Sequence, residues 1–327
     1  MQEIIITKNE EGYKLRKLCM NYLSLAPQSF IYKMLRKKNI VLNDKKADGN
    51  EVLKIGDSVK FYMRDETIAG FQNISSNKAM DKININPLEI VYEDDDMILV
   101  NKPAGVLSQK ASTKDVSINE MIIDYLIQTG SISSESMKTF KPSVCNRLDR
   151  NTSGIIMASK SPAGAHYLTE AIRNRTIKKY YITVVHGNAS IDGVHKALLS
   201  KDSKTNKVTV TDLVRSDSND SKQKGDIIIT GIKKMKYNRE LDLSLLEIEL
   251  ITGKSHQIRA HLNYLGYPII GDTKYGNKEI NSLLYKKYKQ GHQLLTAYKV
   301  IFEDGKSYMI NPPHIYEGLF GNGYLEN

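Results

Sequence analysis

Asn146-Arg147-Leu148-Asp149-Arg150-Asn151-Thr152-Ser153-Gly154 sets one carboxylate between two arginines in a polar turn. Ser143-Val144-Cys145 precedes the turn and Gly154-Ile155-Ile156-Met157-Ala158 follows it, so the segment reads as strand, loop, strand with the acid at the loop. Asp149 is the candidate catalytic residue. The competing role is local: an Asp in such a turn commonly accepts from the backbone amides two or three residues on, here Thr152 or Ser153. Choosing between the two requires the rest of the chain.

Upstream, Met97-Ile98-Leu99-Val100-Asn101-Lys102-Pro103-Ala104-Gly105-Val106 is a buried strand running into a Pro/Gly turn. Asp94-Asp95-Asp96 just before it reads as a solvated hairpin, because three consecutive acids do not face one ion without a special turn. Downstream, Lys179-Tyr180-Tyr181-Ile182-Thr183-Val184-Val185 has strand composition, with Lys179, Tyr181 and Thr183 on one face. Leu246 to Ile251 is a further strand, ending at Thr252-Gly253. Ser255 is then expected to cap a helix with Ile258, Leu262 and Leu265 on its buried side, stopped by Gly266. Arg259 projects from the early part of that helix. His256 and His261 are five residues apart, which does not put two metal ligands on one helical face, so no zinc site is expected.

The first fifth of the chain has a different character. Net charge over all 327 residues is +10, and residues 12–63 alone hold 11 Lys and Arg against 4 acids. Clustering of this kind suits a surface that displaces counterions from a polyphosphate. Leu15, Leu18, Cys19, Tyr22 and Leu23 form one apolar helical stripe. Beyond Ala26-Pro27, Ser29 is expected to cap a second helix, with Ile31, Met34 and Leu35 inward and Lys33, Arg36, Lys37 and Lys38 gathered on the opposite side. Ile40-Val41-Leu42 and Leu53 to Phe61 read as short strands. Residues 64–87, rich in Asn, Ser, Lys and Asp, read as a linker between two units. Residues 191–226 are polar, with Ser216 to Gly225 expected to be a mobile loop.

Composition excludes several classes. The apolar runs fall far short of the ~20 residues that span a bilayer, and the opening Met-Gln-Glu-Ile-Ile-Ile lacks a basic leader, so a cytoplasmic protein without membrane partners is expected. Cys19 and Cys145 are isolated and read as buried thiols, not as a disulfide or metal pair.

Taken together, the ordered motifs resemble the ribosomal large-subunit-type pseudouridine synthases. These share an arginine-leucine-aspartate element followed by threonine-serine-glycine, a lysine-x-tyrosine strand, and threonine-glycine-x-x-histidine-glutamine-isoleucine-arginine. An asparagine-lysine-proline-x-glycine element precedes them, matched by Asn101 to Gly105. Residues 12–63 are similar to an S-four-like RNA-binding module. The resemblance implies an α+β fold: a small helical and β RNA-binding domain over 12–63, the linker over 64–87, and a catalytic domain over 88–318. That domain would have a mixed, mainly antiparallel sheet with helices packed on it. It also implies isomerisation of uridine to pseudouridine in RNA, most simply large-subunit ribosomal RNA, with transfer RNA the nearest alternative. No atoms are gained or lost in that reaction, so no cofactor and no metal are expected.

The resemblance further assigns Asp149 to the ribose of a flipped uridine, as nucleophile at C1′ or base at C2′. Arg259 would pair with and aim that carboxylate. Tyr181 would pack on the base and assist removal of the C5 proton. Arg147 would fill the space the uridine vacates. Lys102, Lys179 and the basic residues Lys33, Arg36, Lys37 and Lys38 would hold backbone phosphates. The chain departs from the pattern at Asn146, where histidine is usual, and at Lys254, where arginine is usual. Two other classes of function make different demands on the sequence. A non-catalytic RNA-binding or ribosome-assembly factor would be marked by loss of Asp149, Tyr181 or Arg259, and a glycosidase would need a second carboxylate.

Overall fold

The structure, a computed structural model, describes residues 1–72, 88–112, 115–133, 136–202, 207–213 and 225–325. The amino-terminal unit comprises β1 (Gln2–Ile5), α1 (Leu15–Tyr22), α2 (Gln28–Arg36), β2 (Ile40–Leu42), β3 (Lys45–Lys46), β4 (Ser58–Phe61) and α3 (Asp65–Phe71). Its strands form one antiparallel sheet in the order β1-β4-β2-β3. The apolar stripe of α1 is buried, as are Ile31, Met34 and Leu35 of α2, while Lys33, Arg36, Lys37 and Lys38 are exposed.

Three local expectations change here. Helix α2 starts directly behind Pro27, whose fixed φ orients the first turn. Ser29 therefore lies inside the helix and does not cap it. Strand β1 pairs along β4, and its Ile4 packs against the same core as Ile6, so this unit begins before residue 12. Residues 65–71, read as part of a linker, instead form α3. Ile68 is fully buried and Phe71 lies 4.6 Å, centroid to centroid, from Phe30. Apolar residues at 68 and 71 are one helical turn apart, which is enough to seat a short helix among polar neighbours. Residues 73–87, the remainder of the expected linker, lie outside the described residues.

The larger unit contains β5 (Glu89–Glu93), β6 (Met97–Lys102), α4 (Ile118–Gln128), β7 (Ser143–Val144), β8 (Ser153–Ser159), α5 (Pro162–Arg173), β9 (Lys178–His186), β10 (Gly193–Lys201), β11 (Val208–Thr211), β12 (Asp226–Asn238), β13 (Leu243–Leu250), α6 (Gln257–Tyr264), α7 (Lys278–Tyr288), β14 (Leu295–Ile301), β15 (Ser307–Met309) and α8 (Ile315–Phe320). The sheet runs β11-β10-β12-β13-β9-β14-β8-β6-β5, with β15 beside β14 and β7 beside β8. Pairing is antiparallel among the described strands apart from β14 with β8, which is parallel. The fold is therefore α+β with a mixed, mainly antiparallel sheet. Asp94 to Asp96 turn the β5–β6 hairpin, the Asp94 carboxylate accepting from the amides of Asp96 and Met97.

Strand alternation sorts the core onto two faces. Val100, Ile156, Ala158 and Tyr181 face α4 and α6, whereas Leu99, Ile155, Met157 and Ile182 face α5 and α8. The second face also takes Phe320 and Tyr324, so packing continues past residue 318. Within the stretch expected to be polar and irregular, Ala197, Leu199, Val208 and Val210 are buried in a hairpin of β10 and β11. Alternating apolar residues among many lysines and threonines carry that hairpin. The expected loop at Ser216 to Gly225 falls almost wholly on residues 214–224, outside the described residues.

The two units meet at Thr139. Its hydroxyl donates to Glu10 at 2.6 Å and its carbonyl accepts from the Asn21 amide at 2.7 Å. Among the described residues no helix is long and apolar enough to cross a membrane.

Gly154 sits in β8 directly beside Ala297 of β14. It has φ +116°, and a Cβ there would lie 2.2 Å from the carbonyl oxygen of Ala297. Gly154→Ala is accordingly expected to destabilise the protein by about 1–3 kcal/mol or more. The measurement is a urea unfolding curve, which should show a lower midpoint at an unchanged slope.

Candidate active site

Asp149 lies in the turn between β7 and β8, and the backbone on both sides of it is tied down. Ser108 Oγ donates to the Leu148 carbonyl at 2.7 Å and accepts the Leu148 amide at 2.9 Å. On the other side, the Arg150 carbonyl accepts from Lys102 Nζ at 2.9 Å and from the Gly105 amide at 2.9 Å. The turn itself closes through the Asp149 carbonyl, which accepts from the Thr152 amide. The side chain is thus not used as a turn cap. Asn146 bonds across to β8, its Oδ1 accepting from the Met157 amide at 2.7 Å. The Asn146 side chain therefore bonds the backbone of β8.

The Asp149 side chain goes instead to Arg259. Arg259 Nη1 donates to Asp149 Oδ2 at 2.7 Å, while Nε and Nη2 form a fork on Asp272 at 2.7 and 2.9 Å. Asp149 Oδ1 has no hydrogen bond among the described residues, and the side chain is 26% exposed. One oxygen is held and the other is open. Burial opposes charge on both partners of the fork. For Arg259 the bonds to Asp272 and Asp149 prevail and hold the guanidinium above its usual range; for Asp272, Arg259 and the amides of Lys274 and Tyr275 bring the carboxyl below its usual range. Charge-assisted bonds of this kind are worth about 1.5–3 kcal/mol each, but only while every partner is present. The Arg259 guanidinium also lies 5.3 Å from the centroid of the Tyr275 ring.

Helix α6 is positioned by its first residue. Gln257 is buried, accepts from Thr252 Oγ1 and the Lys254 amide, and donates to Ile229 O and Thr230 Oγ1. The end of β13, the start of α6 and strand β12 are thereby stitched together. The helix opens one residue later than expected: His256, not Ser255, occupies the capping position, with a left-handed φ of 54°. Tyr181 reaches the same place from the centre of β9, opposite Ile248 and Ala297. It is 5% exposed and its hydroxyl has no hydrogen-bond partner among the described residues. Burial, reinforced by the Asp149 charge, pushes its phenol far above the ordinary tyrosine range, so it stands as a neutral phenol.

The family model of RNA pseudouridylate synthases matches residues 96–264, which hold Asp149, Tyr181 and Arg259. The chain belongs to the RNA pseudouridylate synthase family. It is 31% identical to ribosomal large subunit pseudouridine synthase C of Buchnera aphidicola subsp. Baizongia pistaciae, over 91% of this chain and 88% of that one. An uncharacterized RNA pseudouridine synthase of Mycoplasma genitalium is 30% identical over 92% of this chain and 88% of its own length. Among solved structures, human RNA pseudouridylate synthase domain containing 4 superposes with a TM-score of 0.56 at 21% identity, covering 70% of this chain and 90% of that one.

This synthase departs from the sequence expectation at Lys102. Expected to hold phosphate, Lys102 is fully buried, and its Nζ donates to the carbonyls of Pro103, Val106 and Arg150 at 2.8–2.9 Å. Burial draws its ammonium down to about 7, with the Asp149 charge acting the other way. Its three protons are used on backbone, so it braces the Asp149 turn and has none to offer RNA. Arg147 is exposed beside the buried Leu148. Lys179 is half-buried, held below the ordinary lysine range by burial and by Arg175. Lys254 pairs with Asp226 at 2.8 Å. Sequence reading missed Asp272 and Ser108. The only local sign of Asp272 was an acid directly after Gly271, where a Cβ would lie 2.1 Å from His292 O.

Replacing Lys102 with Met in the synthase should leave the Pro103 and Val106 carbonyls unpaired, take one of two bonds from the Arg150 carbonyl, and cost about 2 kcal/mol or more. The salt dependence of RNA binding should nevertheless keep its slope, because no phosphate contact is lost. Urea unfolding and binding titrations across salt concentrations check the two halves separately.

Proposed function

We propose that this pseudouridine synthase acts on large-subunit ribosomal RNA and uses Asp149 at the ribose of a uridine turned out of its stack. The observation that carries the reading is the arrangement of that carboxylate: Oδ2 fixed by Arg259, Oδ1 open, and the buried Tyr181 phenol within its field. The reaction breaks the bond from C1′ to N1, joins C1′ to C5, and exchanges the C5 proton lost for one taken up at N1, so that no atoms are gained or lost overall. One aimed carboxylate beside the sugar suffices for it. Tyr181, as a neutral phenol, packs on the base and meets the C5 position with its unengaged hydroxyl. Arg147, exposed at the mouth of the turn, enters the gap left by the uridine.

The ribosomal substrate is favoured by the names of relatives such as ribosomal large subunit pseudouridine synthase C of Rickettsia bellii, 32% identical over 87% of this chain. The amino-terminal unit supports an RNA-binding role of the S-four type. Lys33, Arg36, Lys37 and Lys38 are all exposed on or just after α2, opposite its buried face. Lys179 is proposed to meet phosphate nearer the site.

The test uses a large-subunit ribosomal RNA transcript tritiated at uridine C5. Wild type should release tritium, and Asp149→Ala should reduce release by at least about 100-fold, the lower range for loss of a catalytic acid–base group. Release from transfer RNA but not from the ribosomal transcript would reassign the substrate. Replacing Lys33, Arg36, Lys37 and Lys38 together with alanine should lower the slope of log binding constant against log salt by about 3. An unchanged slope in filter-binding titrations would remove α2 from the RNA surface.

A further inference from the structure

His256 is held in the left-handed backbone region, φ 54°, which costs a residue with a side chain about 1 kcal/mol or more. Its imidazole is half-buried. Nδ1 lies 3.0 Å from the Tyr275 hydroxyl, and that hydroxyl oxygen accepts the Val208 amide at 3.2 Å. A phenol has a single hydrogen to donate. Among the described residues Nδ1 is the one acceptor within reach of that hydrogen, so the arrangement that satisfies it has the Tyr275 O–H donating to Nδ1. That arrangement favours the tautomer in which Nδ1 accepts and Nε2 carries the hydrogen. Nε2 has no partner among the described residues.

The groups facing the ring are Asp149, Arg259, Lys274 and Asp272, together with Tyr275. Burial lowers the affinity of the imidazole for a second proton. Arg259 and Lys274 act in the same direction, and Asp149 and Asp272 oppose them. A half-buried neutral ring whose Nε2–H is unpartnered among the described residues, within the field of Asp149, is a donor awaiting an oxygen acceptor. Asp272 is fully engaged by Arg259 and two backbone amides, and the open Oδ1 of Asp149 makes no bond to the ring among the described residues. An RNA strand threaded past Asp149 brings a phosphate with every nucleotide, and Lys274 adds positive charge on the same side.

We propose that His256 is a substrate-binding residue whose Nε2–H donates to a backbone phosphate oxygen flanking the flipped uridine, with Tyr275 as the positioning residue that sets its tautomer. The proposal rests on the reading of Asp149 as the carboxylate that meets the ribose. It also gives the β10–β11 hairpin a part in the site, since Val208 belongs to that hairpin and orients the Tyr275 hydroxyl.

The test is single-turnover tritium release from a synthetic stem-loop containing the uridine that wild type modifies in the ribosomal transcript. His256→Ala should lower kcat/KM about tenfold, the scale of one charge-assisted hydrogen bond. His256→Gln, whose amide nitrogen takes the place of Nε2, should recover most of the loss. His256→Asn, whose nitrogen takes the place of Nδ1, should not, although Asn tolerates the left-handed backbone better. A neutral methylphosphonate at one flanking position should cost wild type a similar factor and cost His256→Ala nothing further. Nitrogen-15 spectra of labelled histidine should show Nδ1 bare in wild type and a tautomer mixture in Tyr275→Phe. Additive losses at every flanking phosphate, a Gln variant as poor as the Ala variant, or a protonated Nδ1 in wild type would each overturn the proposal. With wild-type release intact, those results sink this inference alone, whereas no release by wild type sinks the reading of Asp149 as well.

Discussion

A single guanidinium shared by two carboxylates organises this molecule's site. Arg259 spends two of its nitrogens on Asp272, which is wholly buried, and one on Asp149, which is not. The asymmetry is what makes the arrangement useful. The bidentate pair with Asp272 compensates the desolvation of the guanidinium, so the third nitrogen can be directed at a partly open carboxylate without leaving a charge uncompensated in the core. Asp272 is itself held by two backbone amides, which transmit the rigidity of the turn after Gly271 to Asp149.

Around that pair the protein uses buried polar groups as braces for backbone. Lys102, Ser108, Asn146 and Gln257 each satisfy main-chain atoms near the ends of strands, and each comes from a different segment from the one it steadies. Such contacts are costly to break because the abandoned carbonyl or amide has no water to turn to. They hold the Asp149 turn in place even though Asn151 and Arg150 within it reach solvent.

Much of this was legible in the sequence. The apolar stripe of α1, the inward triad of α2, the alternation of β9 and the strand-turn-strand around Asp149 all follow from local periodicity. Residues whose roles depend on distant partners were not legible. Nothing near Lys102 says that its amine will meet the carbonyl of Arg150, 48 positions away, and by composition alone a lysine after a strand is a surface cation. Asp272 resembles any acid in a glycine turn until Arg259 is brought to it. Helix α3 and the β10–β11 hairpin were obscured differently, by a few apolar residues diluted in polar sequence, where packing outweighs composition.

The parallel pairing of β8 with β14 has a consequence for how this enzyme comes into being. Ser153 and Gly154, directly after the Asp149 turn, lie beside Thr296 and Ala297, strands that are neighbours in space but separated by most of the catalytic unit in the chain. The order of synthesis therefore delays the site: the turn emerges early, but its supporting strand and both partners of the central ion pair arrive much later. Contacts of such long sequence separation form slowly and together. The Asp149 turn and the groups that hold its side chain are therefore brought together only when strands from opposite ends of the larger unit pair.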